Sequence, residues 1–552
     1  MYLQKAKDAA FWDKVRTDSA YSAFTKELFE IWAKDCEGDI PACKCSEYIM
    51  FNTNGSRSEY EQSYFRRRRA LNASAMLSMI YPDNDEYFTK LCDVIFAICD
   101  EYNWTVPAHL GNFKDVVIDK IDLFAAETGF ALSEIDYLLE DRLPPLIRSR
   151  IRYEIDRRII SPFADGKKYW WETLTSNWAA VCAGSVAITF MYQRPDLFES
   201  VYPRLKRSLD NFLSGFPDDG ICQEGLGYWH YGFGFYVCFA DMYYEHTKKN
   251  VDLLSGEKIK EIVKFPSRMY LDDNGTSVSF SDSGMKNKTH LGTVYYLKSR
   301  FADIVKIPDP SLLYSADNCG RWGLHIRSIL WFDPTVTSAK SVDICTDYAP
   351  ISQWLVKKTP VYGFAAKGGD NEEPHNHNDI GAFIIASGGE QVLCDPGAAK
   401  YSKQYFGAER YTFFQTSSRG HSVPIIDGQY QLKGKDRCAT AEFSDDIFSI
   451  EFSRAYGIEA LSQLKRSFEF SDDCVTLTDK FDFSSGGHEI TERFVSRFPC
   501  EISGDTVRTK NIAIKADGEI SIEQNGAFYC IDFKLPKNTL DFHATIKITK
   551  QQ

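Results

Sequence analysis

Two hydrophobic periods divide this chain, and the change from one to the other limits what it can fold into. Up to about residue 335, apolar residues recur every three or four positions, as in the segments 67–80, 85–102, 118–138, 146–160 and 178–192. That spacing predicts amphipathic helices, and turn signals such as Tyr81-Pro82-Asp83-Asn84 separate them. Past about residue 338 the runs shorten and mostly alternate, as in 448–452, 467–470 and 475–479, with Gly, Asp and Asn between them. This is the pattern of a large antiparallel sandwich. A chain of 552 residues is too long for one core. The expected architecture is multidomain α and β, with a helical domain over 1–337 and an antiparallel β-sandwich over 338–552. The aromatic-rich helix predicted over 228–244 needs many burial partners, which a closed array of helical hairpins would supply.

The net charge of −13 argues against nucleic acid as the main partner, although an anionic ligand could still bind in a local cationic cleft. No stretch approaches the ~20 uninterrupted apolar residues of a membrane span. The first residues carry no apolar segment followed by a small-residue cleavage site, so a cytoplasmic location is expected, or secretion if a leader preceded them. Fifteen scattered cysteines fit free thiols of a reducing compartment. Cys36, Cys43 and Cys45 lack a fourth ligand at zinc-finger spacing.

Within the second half, Glu373-Pro-His-Asn-His-Asn-Asp-Ile-Gly381 sets His375 and His377 two residues apart before a predicted strand. Residues at i and i+2 of a strand face the same way. Asp395 and His421 follow, each beside a strand-like run. With one imidazole of the pair they would form a His/His/Asp set suited to a divalent transition metal, zinc fitting best. The other imidazole would remain for acid or base work. Two solvated histidines at a strand edge are the ordinary alternative.

In the first half, Asn177 stands at the start of an apolar helix, where its ordinary role is an N-cap. About fifty residues on, the segment 219–232 crowds aromatic rings and two acids around glycines. Tyr228 and Tyr231 lie three apart and would share a helix face. Aromatic packing alone could account for them.

Taken together, Asn177-Trp178, Asp219-Gly220 to Tyr231, His375-Asn-His377-Asn-Asp379-Ile-Gly381, Asp395-Pro-Gly and His421-Ser-Val-Pro-Ile-Ile-Asp-Gly resemble the heparinase II/III-like polysaccharide lyase superfamily. The likeness runs from roughly Phe65 to past Gln431, and its most specific part is the His-x-His-x-Asp-x-Gly element. It implies an N-terminal incomplete (α/α) toroid followed by a C-terminal antiparallel β-sandwich, with the active site in the cleft between. It also implies β-elimination at a uronic acid. The C5 proton is removed, the C4–O bond breaks, and a 4,5-unsaturated sugar remains. A C–H beside an ionised carboxylate is a very poor acid, so the carboxylate must be neutralised or hydrogen-bonded.

By that resemblance Asn177 would hold the substrate carboxylate. Family members with a histidine at or beside this position differ here, where Trp178 follows. Tyr228 would protonate the leaving oxygen and could also act as base, with Tyr231 as a competing candidate. His375 would be the second acid/base group, acting from the face opposite the tyrosine. His377, Asp395 and His421 would bind one structural divalent ion, taken as Zn²⁺, that pins the segment presenting His375. Trp178, Tyr231, Arg410 and Arg419 are taken as substrate-contacting, the two arginines through sulfates or carboxylates. The run Arg66–Arg69 falls on a predicted helix, so its side chains point around the axis and a solvated basic face is expected. The implied substrate is a glycosaminoglycan of heparan sulfate, hyaluronan or chondroitin type, with alginate next. A cytosolic location would favour imported oligosaccharides and exo-action. Uronyl C5-epimerisation and noncatalytic sugar binding are the alternatives from other classes.

Overall fold

A computed structural model describes residues 3–111, 118–339 and 341–550. Helices dominate up to Trp322–Leu330, and the strands of the large sheets begin at Cys345–Ala349. The expected boundary at 337/338 falls in the segment between them. Among the described residues, no helix is long and apolar enough to cross a membrane.

The Asn177–Gln193 helix packs against the Leu123–Leu138, Pro195–Ser214 and Leu226–His246 helices. Fourteen of its residues are buried. With neighbours on several sides, it has no reason to keep a polar stripe. The Leu226–His246 helix is similarly enclosed, which buries most of the rings that the sequence placed on it.

The arginine run is a correction to the sequence reading. Arg67 and Arg68 are buried and both reach Glu101, at 3.2 Å and 2.7 Å. Arg69 pairs with Asp35 at 2.7 Å and 2.9 Å, and Arg66 donates to the Asp35 carbonyl. Asp35 and Glu101 are themselves buried and need cations beside them. The four arginines therefore tie helices together instead of forming a solvated basic face.

The C-terminal half is built from two sheets. Eight strands run in the spatial order 440–444, 447–451, 461–470, 474–483, 541–548, 512–516, 506–509 and 500–503. The nine-stranded sheet runs 519–525, 528–534, 490–496, 390–393, 383–387, 363–367, 354–358 and 345–349, with 425–426 pairing off the 490–496 strand. Neighbouring strands in both are antiparallel. The helical region followed by this sandwich is the toroid-plus-sandwich architecture expected.

Gly363–Lys367 and Phe383–Ser387 are buried at every position, and side-chain alternation explains how. Phe364, Ala366, Phe383 and Ile385 enter the sandwich core. Ala365, Ile384 and Ala386, with Trp354 and Val356, join the core of the helical half. The sheet is thus clamped onto the helices. Asp219, prominent in the sequence, works at this seam by accepting from Ile351 N, Ser352 N and Ser352 Oγ at 2.7–2.9 Å.

Candidate active site and metal centre

Close backbone approach assembles the helical side of the site. Gly225 precedes the Leu226–His246 helix at φ 96°, and a Cβ there would lie 2.7 Å from Ser283 Cβ. Its absence lets the loop carrying Asp282 reach the start of that helix. Asn177 lies against Gly232 of the same helix, where a Cβ would come within 3.0 Å of the asparagine Cβ. Ser176, not Asn177, occupies the N-cap position. Asn177 is the first helical residue, 2 % exposed, and its carboxamide oxygen is buried without a partner. Its backbone N–H donates to Glu224 Oε1 at 3.1 Å.

His375 and His377 lie in the turn before Phe383–Ser387 and not on a strand, and His375 adopts φ 58°. They face a common partner through Asp282, not through strand alternation. His375 Nδ1 is 2.8 Å from Asp282 Oδ2, and His377 Nε2 is 3.1 Å from Asp282 Oδ1. Tyr405 Oη donates to the same carboxylate, as does Arg410 Nη2 at 3.1 Å and 3.2 Å. Burial works to raise the Asp282 pKa. Hydrogen bonds from His375 and His377, with the Arg410 guanidinium beside it, hold it far below the usual carboxylate range instead.

Beyond His375, the Tyr228 ring stacks on the imidazole with centroids 4.2 Å apart. Tyr228 Oη lies 2.8 Å from Tyr401 Oη. Burial raises the phenol's pKa, with Asp282 and Glu224 adding to the effect, so Tyr228 keeps its proton. Glu224 Oε2 sits 3.6 Å from His375 Nε2 and has no hydrogen-bond partner. Burial pushes this carboxyl up as well, against the hydrogen bond from the Asn177 N–H. Asn177, Glu224, His375 and Tyr228 thus form one contiguous group spanning both halves.

A second cluster lies directly behind it. Ligating atoms of His377, Asp379, Asp395 and His421 lie within 4.8 Å of one another, and all four residues are buried. His377 Nδ1, Asp379 Oδ2, Asp395 Oδ2 and His421 Nδ1 make no hydrogen bond, although His421 Nδ1 and Asp395 Oδ2 are 2.9 Å apart. The opposite atoms are engaged. His377 Nε2 faces Asp282, His421 Nε2 faces the Gln415 carbonyl at 2.8 Å, and Asp379 Oδ1 accepts from buried Lys367 at 2.9 Å. With each imidazole proton directed at an outer acceptor, both inner nitrogens present lone pairs, the outer arrangement that metal-bound histidines use. Two nitrogens and two carboxylate oxygens make a donor set that fits one divalent ion.

The other residues singled out in the sequence divide between this group and elsewhere. Arg410 is at the centre of the site, also bonding the His375 and Asn376 carbonyls. Trp178 sits beside Asn177 and meets His109 and Trp170, with centroids 4.7 Å and 4.5 Å away. Tyr231 points into the helical half, donating to Glu127 beneath the Arg321 guanidinium. Arg419 reaches the Thr412 carbonyl at 3.3 Å, and its own carbonyl accepts from Arg493, away from the Tyr228, His375 and Asp282 group. Sequence reasoning missed Asp282, Glu224, Asp379, Tyr401 and Tyr405. Asp379 offered a signal, standing two residues after His377. Asp282 offered none.

Residues 361–530 match the family model "Heparinase II/III-like, C-terminal". No curated protein matches the sequence. The chain is similar to a solved heparinase III at 11 % identity and TM-score 0.62, covering 97 % of this chain and 93 % of that one. A heparinase III with methylated lysines gives 12 % and 0.60, covering 96 % and 84 %. A chondroitin AC lyase of Streptomyces coelicolor A3 in complex with chondroitin sulphate gives 10 % and 0.52, covering 99 % and 82 %. At these identities the likeness to the solved structures is one of fold, and with the family match it bears out the resemblance read from the motifs.

Proposed function

We propose that this chain, whose residues 361–530 match the heparinase II/III-like C-terminal model, is a polysaccharide lyase that cleaves uronic-acid-containing glycosaminoglycan by β-elimination. The observation that carries the reading is the contact of Tyr228 with His375, 4.2 Å between ring centroids, beside a buried carboxamide.

In this reading the Asn177 carboxamide receives the sugar carboxylate and donates to it without bringing a titrating proton. Because His375 Nδ1 faces Asp282, its Nε2 lone pair is free to take the C5 proton. The electrons of that C–H bond form the C4=C5 double bond as the C4–O bond breaks, and Tyr228 gives its proton to the departing oxygen. A phenol whose pKa is raised by burial suits the acid role better than the base role. No sugar ring fits between two rings in contact, so both groups work from one face. This replaces the opposite-face arrangement expected from the resemblance.

His377, Asp379, Asp395 and His421 would hold one divalent ion, assigned as zinc. Its contribution when bound is to fix His377, and through Asp282 the turn that presents His375.

The test is the ultraviolet absorbance of a conjugated uronate during incubation with heparan sulfate, hyaluronan, chondroitin and alginate, metal supplied. A gain on a glycosaminoglycan supports the reading, and a gain on alginate alone moves the substrate there. Solvent deuterium entering C5 with no absorbance gain identifies an epimerase.

A further inference from the structure

The segment 398–407 leaves the β half and touches the helical half at separate places. Tyr401 Oη meets Tyr228 Oη at 2.8 Å, and Tyr405 donates to Asp282. Close by, Gln404 and Lys403 lie against Gly55, just before the Ser58–Ile80 helix. A Cβ at Gly55 would be 3.2 Å from Gln404 Oε1 and 3.6 Å from Lys403 Cβ.

This second landing point connects to the asparagine side of the cleft. Phe65 of the Ser58–Ile80 helix packs on Phe124 at 4.9 Å, Phe124 stacks on His109, and His109 meets Trp178 next to Asn177. The segment therefore bridges from Tyr228 and Asp282 to the turn before the Ser58–Ile80 helix. Contacts within and just after it hold it in shape, with Tyr401 4.7 Å from Phe406, Tyr405 5.4 Å from Phe413, and Arg410 over the Tyr405 ring. A polymer seated on Tyr228 would meet this strap where Tyr401 lies against that tyrosine.

We propose that the strap 398–407 closes one side of the cleft, so that the protein takes uronate chains by an end and removes sugars exolytically instead of cutting within the chain. This rests on the lyase reading and narrows its substrate to chain ends.

The experiment pairs product sizes with binding stoichiometry. Wild-type protein incubated with hyaluronan and heparan sulfate should release only the smallest unsaturated products from the first time point, with little fall in viscosity. The pair Lys403→Gly and Gln404→Gly, which loosens the Gly55 contact without touching Tyr401 or Tyr405, should add intermediate sizes. In a turnover-independent arm, Tyr228→Phe protein is titrated with hyaluronan oligosaccharides of increasing length, and the number bound per chain should stay constant. A ladder of intermediate products from wild type, or protein bound in proportion to chain length, overturns the proposal while leaving the lyase reading in place. Neither absorbance nor binding on any uronate overturns both.

Discussion

Asp282 Oδ2 faces His375 Nδ1 at 2.8 Å while its Oδ1 faces His377 Nε2 at 3.1 Å. One carboxylate from the helical half thus orients both the proposed base and a proposed metal ligand of the β half. Asp282→Asn can accept from only one imidazole, so the other must change tautomer or move. Loss of such an outer partner typically costs about 10–100-fold in metal affinity or activity. We expect weaker zinc retention in a chelator competition together with a fall in kcat at nearly constant KM. Full metal retention with unchanged kcat would remove Asp282 from both roles.

The two tyrosines separate cleanly. Tyr228→Phe removes the proposed proton donor and should lower kcat about 10²–10⁴-fold. Tyr231→Phe instead leaves the largely buried Glu127 without a hydroxyl partner, a cost of roughly 1–3 kcal/mol in stability, with kcat nearly unchanged. Steady-state rates and urea midpoints on both variants decide it. A catalytic collapse in Tyr231→Phe with Tyr228→Phe still active would exchange their roles.

Same-face placement of acid and base also predicts a stereochemical preference. Elimination from one face needs the C5 proton and the C4 oxygen on the same side of the sugar, as in glucuronate. In iduronate they lie on opposite sides. Initial absorbance rates should favour glucuronate-rich polymers such as hyaluronan over iduronate-rich ones. Faster turnover of the iduronate polymers would place His375 and Tyr228 on opposite sides of the bound ring.

How much of this could be read from the chain follows from which interactions are local. The helix-to-strand change was legible because side-chain period is a property of neighbouring residues. His375, His377, Asp395 and His421 drew attention because imidazoles and acids cluster near them in sequence. Asp282 contacts His375 across 93 positions and His377 across 95, and the Ser-Asp-Ser-Gly run around it reads as an ordinary turn. Only the fold brings it there. Arg66–Arg69 was misread for a related reason: its partners Asp35 and Glu101 are about thirty residues away on either side, and nothing local marks those acids as buried. The strand-face argument for the histidine pair failed because His375 takes a left-handed turn.

Metal removal should be visible without any substrate. Four inner ligand atoms lack hydrogen bonds, so the folded apo protein keeps unsatisfied buried groups that an ion would satisfy. At a thousand times its Kd a bound ion adds about 4 kcal/mol to stability. Chelation should lower the unfolding midpoint, and zinc should restore it. His421→Ala should abolish that response. An identical midpoint with and without chelator would leave the cluster as a hydrogen-bonded core.

Glu127 supplies a stability change with pH that is separate from catalysis. Burial raises its carboxyl from the ordinary 4.5 to about 7, against the pull of Arg321 and the Tyr231 hydroxyl, with Asp317 and Asp122 adding to the rise. A folded-state pKa above the unfolded one means that the favourable contribution is complete below about pH 4.5 and is lost as pH rises through about 7. The full change is on the order of 3 kcal/mol. Urea unfolding at about pH 5 and about pH 8 should show the wild type losing stability between them. In Glu127→Gln that component is gone, because the amide does not titrate. Equal slopes in the two proteins would show that Glu127 is already ionised in the native state at the lower pH.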